Sequence, residues 1–152
     1  MLNQDVHYSL RVSYRSALLN QITIGGVVVP VFASMKQVSS SANLYILINA
    51  QSSAGANTKV TVETGTLVQL SLFARGADLT GNEIEDMGAQ VLAIIEPYPN
   101  YKISINNNFQ VMQQQIISDS MLPVSVSNTI APTYERNIII QHFVKHNSRS
   151  II

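Results

Sequence analysis

Residues 59–73, KVTVETGTLVQLSLF, decide the fold. The even positions of this stretch carry the apolar side chains Val60, Val62, Val68, Leu70 and Leu72. The odd positions are mostly charged or polar. Alternation with a period of two is typical of an antiparallel strand that buries one face. The Thr-Gly-Thr tripeptide at 64–66 predicts a bulge, kink or short turn within that strand.

A helix is predicted directly after this strand and the turn at residues 75–78. Thr80 and Glu83 form a capping-box pattern. The apolar residues between 84 and 95 recur with helical spacing, and Pro97 ends the helix.

The remaining elements lie on both sides of this strand–helix unit. An N-terminal helix is predicted from Asp5, as N-cap, to about Asn20. Further strands are predicted over residues 27–32 (with Pro30 indicating an edge or a bulge), 44–50, 109–117 and 134–144. Residues 51–57 are predicted to be a flexible connection.

The order of these elements predicts the fold class. It lacks a regular βαβ alternation, which favours an α+β fold, with two main helices packed on one mostly antiparallel sheet. We expect a single α+β domain over residues 1–145, followed by a flexible C-terminal tail at residues 146–152.

Composition excludes several classes of protein. The net charge is zero, unlike that of a dedicated nucleic-acid-binding domain. Because the chain has no Cys, it has no disulfide scaffold, thiolate zinc site or Cys nucleophile. The longest apolar run, residues 27–33, is far shorter than the about 20 residues of a membrane span. The N-terminus lacks the charge and apolar pattern of a signal peptide, so we expect none.

Sequence motifs for catalysis or metal binding are weak. The glycines at 25–26 and 76–81 lack the Lys and the spacing of a phosphate-binding loop. His142 and His146 fall at a strand and its exit, where four residues span about 13 Å, too far for a shared metal. We therefore predict no enzymatic activity, no metal and no cofactor.

Charged residues are scarce and segregated. They make up 12% of the chain, about half of the ~25% of an ordinary soluble domain. Five acids and no base fall within residues 78–96, whereas residues 1–75 carry five bases and two acids. Such a surface fits head-to-tail contacts between copies. A compositional bias of the source genome explains the scarcity of charge equally well.

The order and length of the elements resemble those of phage tail-completion and tail-terminator proteins. The matching segments are YRSALL (14–19), VVPVF (28–32), YILI (45–48), LVQLSLFARG (67–76), the helix 82–95 and the strands 109–117 and 134–144. The resemblance spans residues 8–144 and contains no diagnostic motif. The insertion at 51–66 and the Asn/Gln-rich segment 106–115 depart from the pattern.

This resemblance implies a virion structural protein at the head–tail interface, present in the host cytoplasm during assembly. It implies a homo-oligomeric ring, typically a hexamer, that contacts the tail tube protein and a head-completion or neck protein. DNA would pass through its lumen without sequence recognition.

Candidate interface residues follow from this sequence alone. They are Arg75, the acidic helix start Glu83, Glu85 and Asp86, and the tail residues Ile151 and Ile152. Simple disorder of the tail is the alternative for the last two. Two other functions remain open: a head-completion or adaptor ring, and a small-ligand-binding or hydrolytic domain with its site under residues 51–57.

Overall fold

The computed structural model describes residues 6–33, 43–55, 61–76, 81–95, 109–122 and 133–150. In chain order, the elements in this part of the chain are α1 (Val6–Leu18), β1 (Thr23–Ile24), β2 (Val27–Val28), β3 (Val31–Phe32), β4 (Leu44–Gly55), β5 (Thr61–Arg75), α2 (Asn82–Ile95), β6 (Phe109–Met121) and β7 (Thr133–Ser150).

Five of the strands form one sheet in the order β3-β4-β5-β7-β6. Every neighbouring pair is antiparallel except β3 and β4, which are parallel. β1 and β2 form a separate two-stranded hairpin. Both helices pack on the sheet, and the core buries residues from both of them. The predicted α+β class, with a mostly antiparallel sheet and two helices, is confirmed.

The alternating stretch forms β5, the central strand of the sheet. Its even side chains from Thr66 to Ala74 are buried, and Val68, Leu70 and Leu72 belong to the apolar core. The odd positions are mostly half-buried. The helices complete the core with Leu10, Tyr14 and Leu18 from α1 and Ile84, Met87, Val91 and Ile95 from α2. Amphipathic strands and helices thus meet on one face of the sheet.

The predicted interruption of this strand at residues 64–66 is wrong. These residues pair in register with residues 142–144 of β7 and with residues 53–55 of β4. The register shift lies between Thr61 and Glu63 instead. Hydrogen-bonded neighbours on both sides hold Gly65 in the strand, because each supplies backbone partners that a turn would lose.

The predicted flexible connection at residues 51–57 is wrong for its first five residues. β4 continues to Gly55, and residues 51–55 pair with residues 64–68 of β5. The ladder overrides the low strand propensity of Ser and Gly here. The ligand site considered under residues 51–57 would therefore lie beside a strand over these five residues. Residues 56 and 57 lie outside the described part.

The predicted strand over residues 27–32 is divided in two. Val27 and Val28 pair back onto β1 around Gly25 and Gly26, whose φ angles of 58° and 81° suit a two-residue hairpin turn. The chain then passes Pro30 and joins the sheet as β3, an edge strand. Pro30 lacks an amide hydrogen, which explains why the two short strands separate at this point.

β7 extends beyond its predicted end at Val144. It reaches Ser150, with His146 opposite Phe109 of β6 and Ser150 opposite Thr61 of β5. The strand therefore continues through five residues assigned to the tail, with β6 pairing at the first of them and β5 at the last. The predicted tail residues Ile151 and Ile152 lie outside the described residues.

Helix α2 has the predicted bounds, Asn82–Ile95. At its start, the Glu83 carboxylate accepts a hydrogen bond from the Gly81 amide at 3.1 Å. At its end, the Gln114 side-chain amide donates to the Ile95 carbonyl at 2.7 Å. Polar side chains thus satisfy backbone groups at both ends of the helix. Thr80, the other half of the predicted capping box, lies outside the described part.

Helix α1 is tied to the sheet by a buried polar contact. The Tyr14 hydroxyl lies 2.5 Å from Nε2 of His142, and Nδ1 of His142 lies 3.3 Å from the Thr66 carbonyl oxygen. A carbonyl only accepts, so Nδ1 carries the proton and Tyr14 donates to Nε2. Burial lowers the pKa of His142 to about 4. The hydrogen bond to Thr66 acts in the opposite direction, but it is the smaller effect.

This histidine makes the fold sensitive to acid. The unfolded chain takes up a proton at His142 near pH 6.5, whereas the folded chain resists until about pH 4. Its contribution to stability is therefore full above pH 6.5 and is lost as the pH falls to about 4. We expect a loss of about 3 kcal/mol from this residue over that range, measured by urea unfolding at a series of pH values.

The matched control for this prediction is H142Q, which keeps a donor and an acceptor and removes the titration. The difference in unfolding free energy between wild type and H142Q should shrink as the pH falls from 7 to 4. A difference that stays constant with pH would contradict the assignment of a neutral, buried His142.

Candidate functional site

Arg75 lies at the end of β5 and contacts an aromatic cluster. Its guanidinium carbon is 5.2 Å from the centroid of the Tyr45 ring, and its amide donates to the Asn43 carbonyl at 2.7 Å. The Tyr45 ring stacks on Phe73 at 4.7 Å and meets Phe32 at 6.2 Å. These side chains alternate with the core positions, so they lie on the sheet face opposite the helices. The half-buried Arg75 thus contributes to this aromatic cluster.

The three acidic candidates all lie in the first turns of α2 but differ in their contacts. Glu83 folds back onto the Gly81 amide at its own helix start. The exposed Asp86 accepts from Gln90 one turn later at 3.0 Å. Negative charge at a helix N-terminus is favourable, so both have a local structural role. Glu85 is exposed, and its charge helps to raise the pKa of Arg136.

The structure does not bring all candidates together. The acids lie in the helix layer, whereas Arg75 lies on the opposite sheet face. Ile151 and Ile152 lie outside the described residues, so their interface role stays a prediction. Arg75 and the acidic start therefore form two separate surfaces.

Gln90 joins α2 to the hairpin. Its amide donates to the Thr23 carbonyl at 2.9 Å and accepts from the Thr23 amide at 3.0 Å. The Gln90 side chain thereby makes the two hydrogen bonds to the Thr23 backbone that a residue of a neighbouring strand would make. The sequence pattern offered no signal for this contact, because it joins residues 67 positions apart.

An ion pair under α2 was also missed from the sequence. Arg136 of β7 binds Asp119 of β6 through two hydrogen bonds of 2.7 Å each. These bonds raise the pKa of Arg136 above its ordinary value, more than burial lowers it. Such a two-pronged arrangement is the strong form of a carboxylate–guanidinium pair.

Gly88 provides the space for this pair. It is buried on α2, and a Cβ at this position would overlap the Arg136 guanidinium. A glycine on the apolar stripe of a helix is the one sequence signal that could have indicated a close approach here.

The described residues were also compared with the requirements of a metal site and of a membrane-spanning helix. No group of three His, Asp or Glu in this part of the chain is placed to hold a metal ion. His142 is engaged with Tyr14 and Thr66 as described above. Neither of the two helices is long and apolar enough to cross a membrane.

Comparison with known proteins gives a likeness in structure. No protein-family model matches the sequence, and no curated protein sequence matches it. A solved structure titled "Virion of native gene transfer agent (GTA) particle" contains a chain that is similar to this one, with a TM-score of 0.61. The two chains share a fold. The match covers 94% of this chain and 99% of the virion chain, at 11% sequence identity.

The ion pair under α2 predicts that Gly88 and Arg136 are energetically coupled. Gly88→Ala improves helix propensity by about 1 kcal/mol but displaces the guanidinium from Asp119. We expect a net loss of about 1 kcal/mol in the wild type and a gain of about 1 kcal/mol in an Arg136→Ala background. Chemical denaturation of the four proteins measures this coupling.

Ala89→Gly is the control, since Ala89 is the exposed neighbour on the same helix. It should cost about 1 kcal/mol in both backgrounds. Equal effects of Gly88→Ala with and without Arg136 would show that the guanidinium does not occupy the space over Gly88.

Proposed function

We propose that the chain is a structural protein of a phage-like virion, of the tail-terminator or tail-completion kind. The observation that carries this proposal is the likeness to a chain of the gene transfer agent virion, which extends over nearly the whole of both chains. A shared fold over nearly the whole of both chains supports a similar use as a building unit of a particle.

The chemistry of the candidate residues supports assembly over catalysis. Glu83 and Asp86 have local helix-end contacts, and Arg75 contacts the Tyr45 ring. Among the described residues, the strongly lowered pKa belongs to His142, which is buried under α1 and bonded to protein groups. Such a buried group stabilises the domain, whereas a catalytic base lies within reach of a substrate.

The proposed assembly is a homo-oligomeric ring, of six copies by analogy with the family that the sequence resembles. It would lie at the head-proximal end of the tail, between the tail tube protein and a head-completion or neck protein. DNA would pass through its lumen without sequence recognition, which suits a chain of zero net charge. The protein would be made in the host cytoplasm and end in the virion.

Deletion of the gene from the phage or prophage that encodes it tests this proposal. Negative-stain electron microscopy of the lysate should show filled heads beside detached tails. A plasmid copy of the wild-type gene should restore joined particles, which controls for effects on neighbouring genes. Intact, infectious particles without the gene would contradict the proposal.

The same micrographs separate the two ring functions. Tails of uncontrolled length are expected for a missing tail terminator, because nothing stops the growth of the tube. Tails of normal length beside filled heads would instead favour the head-completion or adaptor ring.

A further inference from the structure

In the part of the chain that the structure describes, the exposed large apolar side chains belong to three elements, α1, β2 and β6, and to the residue that follows β6. They are Tyr8, Val12, Val27, Val28, Met112, Ile117, Met121 and Leu122. The first four define the hairpin-side patch, on α1 and β2. The last four define the β6-side patch, on β6 and the residue that follows it. Grouped exposed apolar surface of this kind marks interaction sites.

The β6-side patch lies along a sheet edge. Within the described residues, β6 pairs with β7 on one side and with no strand on the other. Two register shifts, at Met112 and Ile117, take these residues out of the ladder with β7, and they are 43% and 48% exposed. Each bulge therefore adds an apolar side chain to the edge.

This edge also lacks the charges that normally keep edge strands apart. Residues 109–118 carry none, and Asp119 is engaged with Arg136. Free edges usually carry Lys, Pro or inward-pointing charges that prevent pairing with other chains. A thirteen-residue edge strand with apolar bulges and no free charge is therefore suited to contact another protein surface.

The hairpin-side patch lies in the helix layer, toward the other edge strand, β3. Tyr8 and Val12 share a helical face with Arg15, at spacings of four and three residues. The Arg15 side chain donates to the Val31 carbonyl at 3.3 Å, so this face of α1 lies toward β3. The exposed β2 precedes β3 directly. Residues 16–35 carry no charge at all.

The position of the two patches decides which kind of contact covers both. β3 and β6 are the two ends of the sheet order. A two-fold symmetric dimer would join one patch to itself and leave the other in water. A head-to-tail contact joins the two different patches, and closure into a ring covers every one of them.

The amount of apolar surface fits a specific interface. Eight large apolar side chains that are about half exposed present roughly 700 Å² to water. A standard interface buries about 1,600 Å² in total, of which about 60% is apolar. The two patches thus supply most of the apolar area that one stable contact between copies needs.

We propose that the β6-side patch of one copy binds the hairpin-side patch of a second copy of this chain. This inference rests on the proposed ring and names the two surfaces that build it. Both surfaces are apolar and carry few charges, and neither is covered by the described part of its own chain. Each patch would therefore be covered by the other patch of a neighbouring copy.

The absence of native Cys allows a direct test by cross-linking in the full chain. Two single-cysteine variants, Val28→Cys and Ile117→Cys, are mixed at high protein concentration with a short bismaleimide. Because each variant carries a single thiol, a linker cannot join two sites within one molecule. Intact-mass measurement distinguishes the mixed dimer from the two homodimers.

The mixed dimer should exceed the control mixture of Ala93→Cys with Ile117→Cys by about tenfold, because a docked thiol pair has a high effective concentration. Ala93 is exposed on α2 and belongs to neither patch. Homodimers of Ile117→Cys or of Val28→Cys as the main product would overturn the proposal in favour of a symmetric contact. Equal, low yields in all mixtures would also overturn it.

The outcome is independent of the deletion experiment. Detached tails after deletion together with no mixed dimer would leave the virion function standing and reject this interface. A strong mixed dimer together with intact particles after deletion would keep the interface and reject the tail function. The two failures are therefore distinguishable.

Discussion

Burial of one face of β5 determines where both helices pack. β5 is central, with β4 and β7 hydrogen-bonded on its two sides, and its even side chains form the middle of the core. Because strand side chains alternate, both helices must pack on the same face to cover them. Within the described residues, the two edge strands, β3 and β6, have no further strand beside them.

Polar contacts fix how the helices lie on that face. Tyr14 of α1 bonds to His142, Gln114 of β6 caps α2, and Gly88 of α2 lies against the Arg136–Asp119 pair. Buried polar groups are costly unless they are paired, so each contact penalises an alternative placement of the helix. Apolar packing alone would tolerate small rotations of both helices. With these contacts in place, α1 presents one defined face beside β3.

The sequence was sufficient for features whose signal is local. The alternation over residues 59–73 and the apolar spacing of α2 predicted a strand and a helix that the structure confirms, with Val68, Leu70 and Leu72 buried as expected. Strand ends were not predictable in this way. β4 continues to Gly55 and β7 to Ser150 because their partners are long, and pairing between distant residues is invisible in a short window.

The candidate site shows the same division. The acidic start of α2 was evident from the sequence, since a helix N-terminus favours acids. The partner of Arg136 was not, because Asp119 is brought to it only by the register of β6 on β7. The bulges at Met112 and Ile117 likewise arise from that register. In the sequence, Met112 and Ile117 are two apolar residues within a predicted strand, and no local pattern marks them as exposed at a sheet edge.

The core of the domain lies on one face of its sheet, and apolar side chains remain exposed toward both edges. In the proposed ring, neighbouring copies of the chain cover these two apolar surfaces. The proposal that such copies belong to a particle rests on the fold that this chain shares with a chain of a gene transfer agent virion.

The most direct test is a cryo-electron microscopy reconstruction of the junction between head and tail in phage-like particles of the kind proposed to contain this chain. We expect the reconstruction to show a ring of copies at the end of the tail tube, with Met112 and Ile117 of each copy against Val27 and Val28 of the next. A junction built without this chain, or a ring in which β6 faces solvent, would contradict this expectation.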